Sequence, residues 1–182
     1  VGLVGSATNS TGVTEYEIAS DNTNAIYHGG ICVPLAAGVI DQAGATNGGT
    51  TQALGVLTGV EYVDSTTKKT TFLNYWPGSN NVSVDTNFPV KAFVYDDPMQ
   101  LYVVAADGTN TDRATALADV FSNCDMASVN NGSTDTGKST DLLDISTAAT
   151  TNTLDVRIVG LFEDEANEDF SALGHQYIVR LN

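Results

Sequence analysis

The chain is poor in basic side chains. Seven Lys and Arg stand against 22 Asp and Glu in 182 residues, a formal net charge of −15. A phosphate backbone needs a basic footprint, so this balance argues against a nucleic-acid partner. It argues equally against an anionic membrane surface. Long apolar runs are also missing, and none approaches the roughly 18 residues of a membrane span. No basic segment leads into an apolar one in the manner of a secretory signal, and Val1 is not an initiator Met, so the start is expected to have been trimmed or processed. Catalytic signatures are absent too: there is no H-E-x-x-H, no G-x-S-x-G, no P-loop and no dinucleotide fingerprint. His28 and His175 stand alone, outside any ligand spacing. No enzyme and no cofactor are expected. The two cysteines, Cys32 and Cys124, are far apart without a C-x-x-C spacing, and nothing in the sequence fixes the distance that a disulfide would require.

Only 16% of the residues are charged, and the polarity comes from Thr, Asn, Ser and Gly. Thr suits half-exposed strands, while Asn, Gly and Ser suit turns. The Lys, Glu, Gln and Leu of long amphipathic helices are scarce. Hydrophobic residues, at 42%, suffice for a core. The expected fold is all-β: a compact β-barrel or β-sandwich with one short helix and an extended N-terminal arm. The arm is residues 1–12, small and polar without a period, and a single β-domain covers 13–182. Strand patterns occur at 15–18, 54–62, 70–76, 89–95, 99–105, 154–161 and 176–181. Asp112 can cap a helix over 113–121, with Ala114, Leu117, Ala118 and Phe121 on one face. Residues 123–139 read as a polar loop, with Cys124 in it, and 142–145 as a brief apolar touch-down. No internal repeat of useful strength is visible.

Several clusters invite a chemical reading. The acidic run 163–169 holds enough carboxylates for a divalent cation, but its spacing fits no calcium loop, and a solvated loop is the simpler reading. Residues 107–112 alternate oxygen donors, which equally suits a turn followed by a helix cap. Asp96 and Asp97 are adjacent on an extended chain, so they face opposite ways and suit a turn better than an acid–base pair. Trp76, with Tyr62, Tyr75, Tyr95 and Tyr102, could line a sugar platform; packing at the mouth of the core is favoured.

The order of landmarks resembles the capsid decoration (cement) and head structural proteins of tailed bacteriophages, particularly aquatic and cyanobacterial phages. The landmarks are Tyr16-Glu17-Ile18-Ala19-Ser20, Thr23-Asn24-Ala25-Ile26-Tyr27-His28-Gly29-Gly30 and Leu54-Gly55-Val56-Leu57-Thr58-Gly59-Val60-Glu61-Tyr62. They continue with Asn74-Tyr75-Trp76-Pro77-Gly78, Tyr95-Asp96-Asp97-Pro98, Thr136-Gly137-Lys138-Ser139 and Val156-Arg157-Ile158-Val159-Gly160-Leu161. The resemblance covers most of the chain from Tyr16 onward. It departs at Gly30, where an acidic residue is expected. It implies a virion protein on the outer capsid surface, bound to the major capsid protein, as a homo-oligomer (trimer or dimer), without catalytic residues. An arm adding to a neighbouring sheet edge would suit that work. The residues expected at a capsid or subunit interface are Val1, Leu3 and Val4 in the arm, and Trp76, Phe88 and Phe121 near turns. A virion-surface module that recognises host glycans and a secreted hydrolase are the alternatives.

Overall fold

The computed structural model describes residues 12–44, 52–127, 129 and 131–182. The arm residues Val1, Leu3 and Val4 therefore lie outside the described residues. The chain is all-β with one short helix. It forms two compact units, Val1–Asp97 with Val129–Thr140, and Pro98–Ser128 with Asp141–Asn182. The sequence leads to one β-domain over 13–182, because neither a change of composition nor a Gly/Pro linker marks the boundary. Each unit has its own sheet and its own core.

The first unit contains β1 (Thr14–Ile18), β2 (Ile31–Pro34), β3 (Ile40–Gln42), β4 (Gly55–Val63), β5 (Thr70–Leu73) and β6 (Val90–Tyr95). Pairing runs β2-β3-β1-β6-β4, and β4 pairs back to β2. The ring closes, so five strands form a small barrel, and β5 is a sixth strand on the side of β4. All pairs are antiparallel except β1 with β3, which meet in parallel at Ile18↔Ile40. The interior takes alternate residues of each strand, as the two-residue period demands: Leu57, Val60, Val90, Ala92 and Val94 are all buried. Residues 129–140 belong to this unit. Gly137 packs against Tyr75, where a Cβ would come within 2.5 Å of the ring, and Gly132 lies against Tyr27 in the same way. Tyr27 and Tyr75 stack at 5.5 Å beneath this segment.

The second unit contains β7 (Tyr102–Ala105), α1 (Arg113–Ala118), β8 (Asn123–Ala127), β9 (Leu142–Ala149), β10 (Val156–Leu161) and β11 (Gln176–Leu181). Its sheet runs β7-β11-β10-β8-β9. A parallel bridge, Ala106↔Leu143, brings the end of β7 to β9 and closes this ring as well.

The two rings are the same ring. In chain order, β1, β2, β3, β4 and β6 correspond to β7, β8, β9, β10 and β11, with identical partners and senses. The correspondence holds residue by residue. Ile18↔Ile40 matches Ala106↔Leu143. Pro34↔Ile40 matches Met126↔Leu143. Cys32↔Gly55 matches Cys124↔Val156. The β-bulge between Leu57 and Gly59 opposite β6 matches the bulge between Ile158 and Gly160 opposite β11. Even the turn before the second strand agrees. Gly29 N–H donates to Leu57 O at 2.8 Å, and Phe121 N–H donates to Ile158 O at 3.0 Å. Both of those residues have positive φ, 83° and 75°. The chain thus carries one barrel twice, a repeat that the sequence does not announce. The insertions differ: β5 follows β4 in the first barrel, and α1 precedes β8 in the second.

The differences in local expectation have simple causes. β8 and β9 replace the predicted loop and touch-down, because NCDMA and STAA carry little strand-forming side chain and are held by their neighbours. Cys124 is therefore a buried strand residue. The helix starts at its predicted cap, where Asp112 Oδ1 accepts from Thr115 N–H at 2.8 Å, but it stops at Ala118. Its buried residue is Ala116, whereas Leu117 is 49% and Phe121 71% exposed. The predicted apolar face thus points outward.

Leu57 and Ile158 are equivalent, fully buried positions in the two barrels. Leu57→Ala and Ile158→Ala should each lower the unfolding free energy by about 2–5 kcal/mol in denaturant melts. A loss near zero at either position would contradict the assigned core.

Candidate functional site

Polar groups that could carry chemistry are largely committed to holding the fold. Asp41, buried at 6% exposure, accepts from Asn22 Nδ2 at 2.9 Å, Asn24 Nδ2 at 3.0 Å and Gln42 N–H at 2.7 Å. Asp96 accepts from Thr14 Oγ1 at 2.8 Å and Tyr16 Oη at 2.7 Å, tying the end of β6 to β1, and a turn follows at Pro98 and Met99. Burial, followed by this hydrogen bond to Asp96, pushes the Tyr16 phenol up to about 12. Asp85 is held below the usual carboxylate range, first by the Lys68 ammonium at 2.9 Å and then by Asn87.

The second barrel buries a polar chain. His175 is 3% exposed. Its Nδ1 lies 3.2 Å from Ala172 O and its Nε2 lies 3.3 Å from Asn110 Nδ2. The carbonyl contact suits a donating Nδ1–H, and the amide contact suits an accepting Nε2. Asn110 Nδ2 also donates to Tyr177 Oη at 2.7 Å, and Tyr177 Oη donates to Asp119 Oδ2 at 3.0 Å. Burial, and then Asp119, raises the Tyr177 phenol well above its ordinary value. The expected solitary His175 is thus a structural residue stacked edge-on between Phe170 and Tyr177. His28 is exposed, with Nδ1 2.9 Å from Thr58 O.

The acidic run 163–169 borders a cleft of about 710 Å³ with Arg113 and Phe170. Its carboxylates find partners close by. Glu163 pairs with Arg113, Asp164 accepts from Ala166 N–H, and Asp169 accepts from Ser171. Among the described residues, no three His, Cys, Asp or Glu converge as metal ligands. In 107–112, Asp112 is the helix cap.

The interface expectations divide. Trp76 is wholly buried, its Nε1 donating to Asn22 O at 3.1 Å and its ring edge-on to Tyr62. It offers no surface, which corrects its place among interface residues and removes it from any sugar platform. The reason is a long-range pairing: an isolated antiparallel bridge to Ile26 draws residue 76 into the first core. Phe88 is 51% exposed and Phe121 71%. Sequence reasoning missed Phe72, at 66%, Val103, at 51%, and Leu173, at 72%. Phe72 and Val103 lie on alternating strands, which show two faces but not which face meets water, and Leu173 lies in a turn without a period.

Phe121 is the most telling of these side chains. Its left-handed backbone is where the first barrel places Gly29. The fold needs only glycine there, yet the second barrel carries an outward aromatic ring. Left-handed backbone favours glycine because an L side chain crowds the carbonyl that follows.

No family model, curated protein or solved structure matches the chain at a significant level.

Phe121→Gly should stabilise the isolated chain by up to about 1 kcal/mol, the relief of strain exceeding the entropy cost of glycine. A destabilised variant in thermal melts would show that the ring packs on its own chain. Asp155 supplies a pH-dependent test. Burial raises its pKa, the Met126 N–H partly offsets this, and Asp125 adds to the rise. A raised folded pKa gives stability that is present below the unfolded pKa and lost as pH rises through the folded one. Asp155→Asn should therefore raise the melting temperature at neutral pH. The gain should fade on acidification below the carboxylate range, near pH 4, where both side chains are uncharged. A gain that is constant with pH would refute this origin.

Proposed function

We propose that this chain is a structural virion protein that binds the outside of a bacteriophage capsid as a decoration protein and stabilises the shell by bridging capsomers. The reading rests on the resemblance of the landmarks from Tyr16 to Leu161, in their order along the chain. One structural observation supports a binding role: large apolar side chains are held in solvent, Phe72 on β5 and Phe121 and Leu173 in turns. A strand presents an anchor such as Phe72 at little entropic cost, which suits a surface that docks on another protein. The strong acidity suits a partner other than the packaged genome. On this reading the partner is the major capsid protein, and no step needs a cofactor.

Co-sedimentation with empty capsid shells tests the proposal. Saturable binding at a fixed ratio to the shell protein is expected, and that ratio would identify the symmetry axis occupied. A chain that stays in the supernatant at every shell concentration overturns it.

A further inference from the structure

The duplicated barrel supplies its own control for what the outer sheet face requires. In the first barrel the outer face across β1, β6 and β4 carries a charge ladder: Lys91 Nζ lies 3.5 Å from Glu15 and 3.9 Å from Glu61. By the register correspondence, Glu15, Lys91 and Glu61 match Val103, Gln176 and Phe162. The second barrel has therefore lost every charge of that ladder. Its centre is apolar instead. Val103 pairs with Ile178, and Ile178 pairs with Gly160, whose missing Cβ would meet no atom within 4 Å. Val103 is 51% exposed, Leu101 48% and Val159 36%. The same fold is satisfied elsewhere by a solvated face, so barrel stability does not require this apolar one.

The two ends of the face carry opposite charge. At one end Arg157 and Arg180 are direct cross-strand partners, and neither makes an ion pair among the described residues. Like charges directly opposite are unfavourable without a counter-charge. At the other end β10 runs into the acidic loop, where Glu165 and Glu168 are exposed and unpaired by any cation among the described residues. The ends lie about 20 Å apart at the rise of an extended chain. A face with an apolar centre and a positive end, continued at its other end by an acidic loop, can complement a second copy turned through a two-fold axis.

We infer that the outer face of β7, β11 and β10 is a homodimer interface, in which a second copy packs across a two-fold axis. Each copy sets Arg157 and Arg180 against the other's 163–169 loop, and Val103 and Ile178 close the centre. The occupant is a second copy because this chain carries the counter-charges for both ends, the arginines on the sheet face and the carboxylates in the loop that continues β10. The inference deepens the homo-oligomer part of the proposed function, but it does not require a capsid.

Light scattering on the full chain reads the result. The expected mass is that of two chains, falling toward one as salt is raised, because the end contacts are ionic. The double variant V103E/Q176K rebuilds the Glu15–Lys91 step of the first barrel's ladder. It should keep the same far-UV circular dichroism and have the mass of one chain. Charge reversal by R157E/R180E should also give single chains, and adding E165K/E168K to it should restore the pair. A wild-type chain that remains single at high concentration overturns the interface. So does a three-chain mass, a folded V103E/Q176K that still pairs, or a charge reversal without effect. Co-sedimentation of V103E/Q176K with shells separates the two readings. A single-chain variant that still binds leaves decoration standing, and a paired wild type that ignores shells leaves the interface standing.

Discussion

Each barrel is closed by one parallel contact, Ile18↔Ile40 in the first and Ala106↔Leu143 in the second. Every other step round either ring is antiparallel. The parallel step joins the first strand to the third. It converts an open sheet with two raw edges into a ring, which removes the main liability of a small β protein. Closure also fixes the register of the remaining strands, since a slip of one residue would turn every core side chain outward. The bulges at Leu57–Gly59 and Ile158–Gly160 belong to the same constraint, because an extra residue bends β4 and β10 so that each can reach partners on both sides.

Within that common frame the two interiors solve the filling problem differently. Ile18 and Ala92 in the first barrel become Ala106 and Tyr177 in the second, so a large and a small side chain exchange places. Val90 becomes His175. The exchange brings a phenol and an imidazole into the second core, and both need partners once water is excluded. Asn110 and Asp119, supplied by the insertion that carries α1, provide them. The helix is thus part of the repacking: Ala116 joins the core while the insertion's polar residues satisfy the buried ring atoms.

Much of the framework was legible in the sequence because alternation reports which strands have one buried face. The strands around residues 56, 92, 158 and 178 were recognisable for that reason, as was the Asp112 cap. β8 was not, since Asn123 and Asp125 read as loop residues and the strand exists through its pairing. The repeat was hidden for a related cause. A barrel constrains register and side-chain volume rather than identity, so Cys32 and Cys124, or Gly59 and Gly160, are too sparse to reveal a period. Insertions of unequal length also shift the offset between equivalent strands. Among the residues expected at an interface, the exposure of Phe88 and Phe121 was legible from their places at turns. Core packing of Trp76 was favoured, but its complete burial was not legible, because it depends on a bridge to Ile26 that local sequence does not encode.

A duplicated fold frees each copy from having to do the same thing with its surface. The core and the closing contact must be kept in both, so divergence accumulates where packing does not decide. In the first barrel the outer face is neutralised internally, with Lys91 between two glutamates. In the second the same positions carry no charge, and Phe121 stands where glycine would be the easier residue. Exposed apolar groups scattered singly are ordinary on a protein surface. Val103 and Ile178 are not scattered, because strand pairing places them side by side on one face, with Val159 at the adjoining bulge. An acidic chain gains nothing in solution from such a patch. The proposed two-fold interface would take it out of water together with two arginines that make no ion pair among the described residues.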